Sequence, residues 1–213
     1  MRLLTVGDSF TYGEELTNRN LAWPNLLSDK LGHTLTNLAK PGSSNTRISR
    51  PIIEQLNNYD IVIIAWSHFA RTELADESGA YDVWPGGTGI QYAHSHKWRR
   101  EVIDYITKHH NDSYLYRQYL LNIILIQNYL KANNKKYIML DAFGNHQVSS
   151  YTVDNLDLID QIDATYYVGW LESTMMEWTY GTPKGAKGHF LEEGHAIVAD
   201  KIYEHIRNLG WVS

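Results

Sequence analysis

Cysteine is absent from the 213-residue sequence, and no apolar stretch approaches the length of a membrane-spanning helix. Without cysteine the chain can form neither a disulfide nor a cysteine-ligated zinc site. A membrane helix needs about 18 or more apolar residues in a row, so we expect no membrane partner. Residues 1–6 show no signal-peptide pattern. The sequence therefore predicts a soluble protein, either cytoplasmic or virion-associated.

Basic residues are too few for a generally basic surface. The chain has 19 Lys and Arg against 24 Asp and Glu, a formal net charge of −5. Non-specific nucleic-acid binding relies on such a surface, so we expect no nucleic-acid partner. Phenylalanine is also scarce, at four residues, whereas tryptophan and tyrosine number seven and fifteen. Amphipathic rings suit half-wet surfaces such as sugar-stacking clefts, although a core and rim rich in tyrosine explains them equally well.

Short apolar segments alternate with helical patterns along the chain. The sequence predicts buried strands at Arg2–Val6, Ile61–Ala65 and Tyr137–Leu140, a fourth with a weaker pattern at Thr34–Leu38 and a fifth at Leu158–Ile162. The helical patterns cover Leu21–Leu31, Asn45–Leu56, Tyr114–Leu130 and Leu191–Leu209. This alternation predicts an α/β fold, a three-layer α/β/α sandwich around a mostly parallel five-stranded sheet. Ligands of such sheets bind beyond the carboxyl ends of the strands.

No linker divides the sequence, so we expect one domain over residues 1–213. Two aromatic-rich insertions, at about 71–112 and 145–188, interrupt the strand–helix pattern. Long loops inside a compact domain usually serve as lids or binding surfaces.

The segment around Ser9 has the strongest chemical signal. It reads Thr-Val-Gly-Asp-Ser-Phe-Thr-Tyr-Gly and places a serine where a strand ends and a helix can begin. Free backbone N–H groups at that point favour a developing oxyanion and help to activate a serine. Asp8 and Ser9 are also good helix N-caps, so a structural role explains this segment equally well on local grounds.

This segment and a second one, Asn37–Asn45, together resemble two conserved sequence blocks of the SGNH (GDSL-like) hydrolase superfamily, in particular of its phage-encoded members. Gly7-Asp8-Ser9 resembles the first block, in which the serine is the nucleophile and its N–H joins the oxyanion hole. Asn37–Asn45 resembles the second block, with Gly42 at the glycine whose N–H also contributes. The resemblance implies a flavodoxin-like fold and esterase activity without a cofactor or a metal.

The third block departs from the family pattern. The family has Gly-X-Asn-Asp after the third strand, where the asparagine amide donates to the oxyanion, whereas this chain has Ala65-Trp66-Ser67-His68. Losing one such donor costs about 10²–10³ in rate, so we expect Ser67 or Asn45 to replace it. Trp66 and His68 are explained equally well as residues that only line the wall of the cleft.

The last block of the family supplies the catalytic histidine before the C-terminal helix. His189 fits that position, although Ala186 stands where the family has aspartate. The alternative register pairs Glu192 with His195, but it places the histidine inside the helix on its apolar stripe. With His189 as base, the orienting acid must come from elsewhere. Asp141 and Asp163 are the candidates, and a Ser–His dyad is chemically allowed.

The predicted reaction is acyl transfer through Ser9, with an O-acetyl group on a carbohydrate as preferred substrate. The alternative is a catalytically degenerate SGNH domain that binds glycan or serves as a structural component, for instance of a virion. A phosphate-binding flavodoxin-like protein that uses the turn at Gly7–Gly13 is a second. His94 with His96, or His109 with His110, could ligate a metal, but no third ligand accompanies them at a characteristic spacing. The glycines at 86, 87 and 89 match a phosphate loop only weakly.

Overall fold

A computed structural model describes residues 1–77, 79–85, 97–145 and 149–212. Its central sheet has five parallel strands in the order β2-β1-β3-β6-β7. These strands are β1 (Arg2–Val6), β2 (Thr34–Asn37), β3 (Ile61–Trp66), β6 (Lys136–Asp141) and β7 (Tyr167–Val168). Strands β4 (Thr72–Asp76) and β5 (Gly79–Val83) form a separate antiparallel pair. The predicted α/β sandwich is confirmed.

Helices cover both faces of the sheet. The longer ones are α2 (Trp23–Leu31), α3 (Asn45–Gln55), α4 (Lys97–His109), α5 (Asp112–Ala132) and α9 (Glu192–Asn208). Four-residue helices are α1 (Ser9–Tyr12), α6 (Ser150–Val153), α7 (Leu156–Ile159) and α8 (Met175–Trp178). Within the described ranges, no helix combines the length and the hydropathy that crossing a bilayer requires.

Alternate residues of each strand feed two hydrophobic clusters. On one face Leu4, Val62 and Ile64 pack with helices α3 and α5. On the other face Leu3, Ile61 and Ile63 pack with α2 and α9. Every residue of β3 is buried, because a central parallel strand is covered on both faces.

The fifth strand is not where the sequence predicted it. Leu158 and Ile159 lie in helix α7 and face the α5 side of the core, whereas the edge strand is the two-residue β7. The apolar run at 158–162 reflects helix burial, since a short apolar run alone does not distinguish a strand from a helix. Of the predicted insertions, residues 71–112 contain the β4–β5 pair and α4.

Candidate functional site

Ser9 is the first residue of α1, directly after the turn that ends β1. Gly7 is required there, because a Cβ atom at this residue would lie 2.2 Å from Thr11 Oγ1. Asp8 caps the helix by accepting the Phe10 N–H at 3.1 Å. Ser9 is 5% exposed, and its N–H belongs to the first helical turn, whose N–H groups have no partner within the helix. In the described part of the chain, the Ser9 hydroxyl makes no hydrogen bond.

The Asp8 carboxylate joins the carboxyl ends of β1 and β3. Its Oδ2 accepts hydrogen bonds from Ser67 Oγ and from Arg71 Nη1, both at 2.9 Å. Asp8 is fully buried, and the Arg71 side chain is 13% exposed. The buried carboxylate therefore has a buried cation as its counter-charge, and the loop after β3 is fixed beside the turn that presents Ser9.

His189 is held by an acid that the sequence analysis missed, Glu15. The His189 Nδ1–H donates to Glu15 Oε2 at 2.8 Å, and the His189 backbone N–H donates to the same oxygen at 3.1 Å. The Lys187 N–H donates to Glu15 Oε1 at 2.7 Å. Because Nδ1 is engaged, Nε2 is the nitrogen left to accept a proton, as in the histidine of a serine-hydrolase triad.

Glu15 occupies an unusual backbone conformation in a tight packing arrangement. Its φ angle is +69°, in the left-handed region, and a Cβ atom at Gly185 would lie 2.5 Å from its carboxylate. Burial raises the pKa of Glu15, but the hydrogen bonds from Lys187 and His189 outweigh it, so the net pKa is lowered. The carboxylate is therefore ionised when it orients His189.

The His189 loop packs against the helix that starts with Ser9. The ring centroids of His189 and Phe10 are 4.9 Å apart, and Lys187 Nζ donates to Glu14 Oε1 at 2.9 Å. These contacts bring the predicted base to the segment that contains the predicted nucleophile.

Gly42 lies on the loop after β2, next to the Ser9 turn. The Lys40 N–H donates to the Gly7 carbonyl at 3.2 Å, which ties the two loops together. Gly42 has a φ of +79°, and an added Cβ would contact the Trp84 ring at 3.7 Å. Glycine is thus favoured here by its conformation.

The side chains of the predicted oxyanion donors Ser67 and Asn45 are engaged in hydrogen bonds within the protein. Ser67 is fully buried, and its hydroxyl donates to Asp8. Asn45 is 3% exposed; its Oδ1 accepts the Ser67 N–H, and its Nδ2 donates to the Ser67 and His68 carbonyls. Both side chains hold the loop after β3 in place and are not directed toward a substrate.

The predicted acids Asp141 and Asp163 make their hydrogen bonds elsewhere, and neither contacts His189 in the described part of the chain. Asp141 is 2% exposed and accepts hydrogen bonds from Tyr119 OH, Tyr167 OH and Asn145 Nδ2. Asp163 caps the turn at 164–166 and forms an ion pair with Lys131 at 2.6 Å. His189 therefore takes its partner from the segment after α1, through a contact that no local pattern reveals.

The alternative pair of Glu192 and His195 is excluded as the catalytic base. His195 is 1% exposed, and its Nδ1 accepts the Trp23 N–H at 3.1 Å. Burial, reinforced by the nearby His189, lowers the pKa of His195 to about 3. Glu192 is exposed at the start of α9. His195 is a neutral core residue.

A cleft of about 1160 Å³ opens beside this arrangement. Its walls include His68, Arg71, Trp84, Phe143, Tyr151 and Tyr180. Phe143 packs edge-on against Phe10 at 5.4 Å between ring centroids, which places the cleft next to α1. The Arg71 guanidinium lies between the rings of Trp84 and Phe143, at 5.0 and 4.9 Å from their centroids.

No group of three or more potential metal ligands occurs among the described residues. His94, His96 and the glycines at 86, 87 and 89 lie outside those residues. His110 Nδ1 lies 3.0 Å from the Thr107 carbonyl and its Nε2 lies 3.5 Å from Asp112.

Comparisons with known proteins extend the description. The sequence matches the model of DUF6071, a family of unknown function, over residues 11–213. No curated protein matches the sequence significantly. Among solved structures, TesA superposes with a TM-score of 0.61 at 14% identity, covering 98% of this chain and 99% of that one.

Two further solved structures share the fold. A putative lipolytic protein of the G-D-S-L family from Desulfitobacterium hafniense DCB-2 has a TM-score of 0.53 at 12% identity, covering 96% of this chain and 98% of that one. The acetyl xylan esterase Est2A from Butyrivibrio proteoclasticus has a TM-score of 0.58 at 13% identity, covering 99% of this chain and 65% of that one. At these identities the likeness establishes the fold, and the function must be argued from the site.

Proposed function

The chain belongs to DUF6071, a family of unknown function, and we propose that it is a serine esterase that works through an acyl-enzyme on Ser9. The observation that carries the proposal is the Glu15–His189 pair, packed against the helix that begins with Ser9. A histidine that is oriented by a largely enclosed carboxylate, whose side chain is 13% exposed, and that keeps one free ring nitrogen has the geometry of a general base.

The proposed reaction has two acyl-transfer steps. His189 Nε2 removes the Ser9 hydroxyl proton as Oγ attacks the ester carbonyl carbon. The tetrahedral adduct then collapses: the bond to the alcohol oxygen breaks, and His189 returns the proton to the leaving alcohol. Water, deprotonated by the same histidine, attacks the acyl-enzyme and releases the acid. Glu15 stays ionised and stabilises the imidazolium that forms twice in each turnover.

The backbone N–H groups of Ser9 and Gly42 are the proposed oxyanion donors. Ser9 contributes from the first turn of α1, and Gly42 from a loop hydrogen-bonded to Gly7. Preorganised N–H donors of this kind are commonly the largest single contribution to acyl transfer.

The preferred substrate is an O-acetyl group on a carbohydrate. The cleft beside Phe143 is lined by Trp84, Tyr151 and Tyr180, and aromatic faces of this kind suit sugar rings at a half-wet surface. The fold is also used by an acetyl xylan esterase. Both observations support a carbohydrate carrier.

Turnover of p-nitrophenyl acetate tests the esterase proposal. We expect Ser9→Ala to lower kcat/KM by about 10³-fold or more. Ser28→Ala is the matched control, because Ser28 is similarly buried, at 7% against 5% for Ser9. It should leave turnover unchanged. A native chain that is inactive, or a Ser9→Ala variant that is fully active, would contradict the proposal.

Acetate release from an acetylated xylo-oligosaccharide tests the carrier. Tyr180 lines the cleft and is 88% exposed, so Tyr180→Ala should raise KM for the oligosaccharide and not for p-nitrophenyl acetate. Tyr114→Ala, on α5 and 60% exposed, is the control. Equal KM values of the native chain and Tyr180→Ala for the oligosaccharide would show that the sugar does not bind in this cleft.

A degenerate domain that binds glycan or has a structural role, for instance in a virion, is the second candidate. It is favoured by one observation: Ser67 and Asn45, the residues at the expected amide donor, have their polar atoms engaged within the protein. Oligosaccharide binding without turnover would support it over the esterase.

A further inference from the structure

His68 lines the cleft, and a backbone hydrogen bond fixes which of its ring nitrogens carries the proton. Its Nδ1 accepts the Ala70 N–H at 3.1 Å. A neutral imidazole carries one donor and one acceptor nitrogen, so the proton must be on Nε2. Burial, helped by the charge of Arg71, lowers the pKa of His68. The ring is therefore neutral, in one defined tautomer.

The ring position is set by its aromatic neighbours. His68 stacks on Phe69 at 4.5 Å between centroids, and Phe143 meets it edge-on at 6.0 Å. Phe143 in turn packs against Phe10, the residue after Ser9. His68 lines the cleft.

The backbone on either side of His68 is held at every residue. The Ser67 N–H donates to Asn45 Oδ1, and the Phe69 N–H donates to Asn145 Oδ1 at 3.2 Å. Asn145 Nδ2 donates to the Ser67 carbonyl and to Asp141, at the base of a buried cluster with Tyr119 and Tyr167. This network accounts for the buried Asp141 that catalysis does not use, because it anchors the His68 loop.

The loop is also fixed relative to Ser9. Ser67 precedes His68, Asp8 precedes Ser9, and the Ser67 hydroxyl donates to the Asp8 carboxylate at 2.9 Å. His68 and Ser9 are therefore each one residue beyond a hydrogen-bonded pair that joins the ends of β3 and β1.

We propose that the Nε2–H of His68 is the third oxyanion donor, together with the N–H groups of Ser9 and Gly42. This inference rests on the proposed esterase function. As the ester carbonyl oxygen gains negative charge, His68 donates a hydrogen bond and keeps its proton. The donor costs no reorganisation, because the loop and the tautomer are fixed before substrate arrives. It takes the place that Ser67 and Asn45 were expected to fill.

Kinetics of three His68 variants test this role. Gln places its amide nitrogen as many bonds from the backbone as histidine Nε2, whereas Asn reaches only as far as Nδ1. We expect His68→Ala and His68→Asn to lower kcat for p-nitrophenyl acetate by about 10²–10³-fold with little change in KM. The kcat of His68→Gln should be at least about tenfold higher than the kcat of either of the other two variants. His205→Ala alters a histidine on α9 that does not line the cleft, and it should keep full activity.

The outcomes separate the two proposals. A native chain that turns over the ester, loses activity in Ser9→Ala and keeps it in His68→Ala overturns the His68 role alone. A His68→Gln variant that is as impaired as His68→Ala does the same, since it points to a packing role. Absence of turnover in the native chain overturns both proposals. If His68→Ala fails to fold, the comparison of His68→Gln with His68→Asn decides, because both fill more of the ring's space than alanine and only the glutamine amide reaches the position of Nε2.

Discussion

Glu15 accepts a hydrogen bond from the Nδ1–H of His189 across 2.8 Å, although the two residues are 174 positions apart in the sequence. The contact joins the segment after α1 to the loop before the last helix. It assigns the orienting acid of the proposed triad to a residue that follows the serine closely in the chain.

Replacing Glu15 should impair catalysis much more than replacing its neighbour. Glu15→Gln keeps the shape but removes the charge that stabilises the imidazolium, so we expect kcat to fall by about 10²–10⁴-fold. Glu14→Gln is the matched control, because Glu14 contacts the same loop through Lys187 but not the ring. Steady-state kinetics on p-nitrophenyl acetate provide the measurement. Similar rates for the two variants would show that Glu15 does not assist His189 and that the site works as a Ser–His dyad.

Arg71 should matter for stability because it neutralises a fully buried carboxylate. Arg71→Met leaves Asp8 without its cation, and breaking a buried pair in this way costs about 3–5 kcal/mol. Lys30→Met provides the comparison: the Lys30–Asp200 pair has side chains 42% and 56% exposed, and such pairs are worth about 1 kcal/mol or less. Urea unfolding measures both. Equal losses would show that Asp8 does not depend on Arg71.

Gly42 should be more sensitive to substitution than a glycine with the same backbone strain elsewhere. Gly42→Ala and Gly210→Ala both place alanine at positive φ, +79° and +69°, at a cost of about 1–2 kcal/mol each. Only Gly42→Ala should also lower kcat, because its N–H is a proposed oxyanion donor. If both variants retain native kcat, Gly42 has only a conformational role.

Mild acid should destabilise the fold through His195. The folded pKa is about 3, against an ordinary value of 6.5, so the unfolded chain takes up a proton at pH values where the folded chain does not. Stability is therefore lost as the pH falls from 6.5 toward 3.

The size of this effect can be measured between pH 7 and pH 5. His195 alone should remove about 2 kcal/mol over that interval, and His68, whose pKa is lowered too, acts in the same direction. His195→Gln should flatten the dependence of the urea midpoint on pH. An unchanged slope in that variant would mean that His195 is protonated in the folded state.

The sequence predicted the sheet and the main helices well because burial on both faces leaves continuous apolar runs. Strand β1 has the predicted bounds, and β3 and β6 differ by one residue at their ends. Strand β7 escaped prediction because its two residues carry no periodicity of their own.

The site could be predicted only where a residue belongs to a motif next to a strand or helix end. Ser9 and Gly42 follow from motifs after the first two strands and His189 from a motif before the last helix, and their roles remain predictions. Glu15, by contrast, reaches His189 through a fold-dependent contact. Asn45 and Ser67 were predicted as donors because they lie at the correct end of the sheet. Their roles depend on side-chain direction, which Asp8 and the loop carbonyls determine.

The most direct test of Ser9 as nucleophile is covalent labelling with a fluorophosphonate ester, followed by peptide mass mapping. The account predicts one phosphonyl adduct, on Ser9, that is absent in Ser9→Ala and forms far more slowly in His189→Ala. His205→Ala, which alters a half-buried histidine on α9 that contacts the Thr165 carbonyl, should label normally. An adduct on another residue, or no adduct on the native chain, would contradict the account.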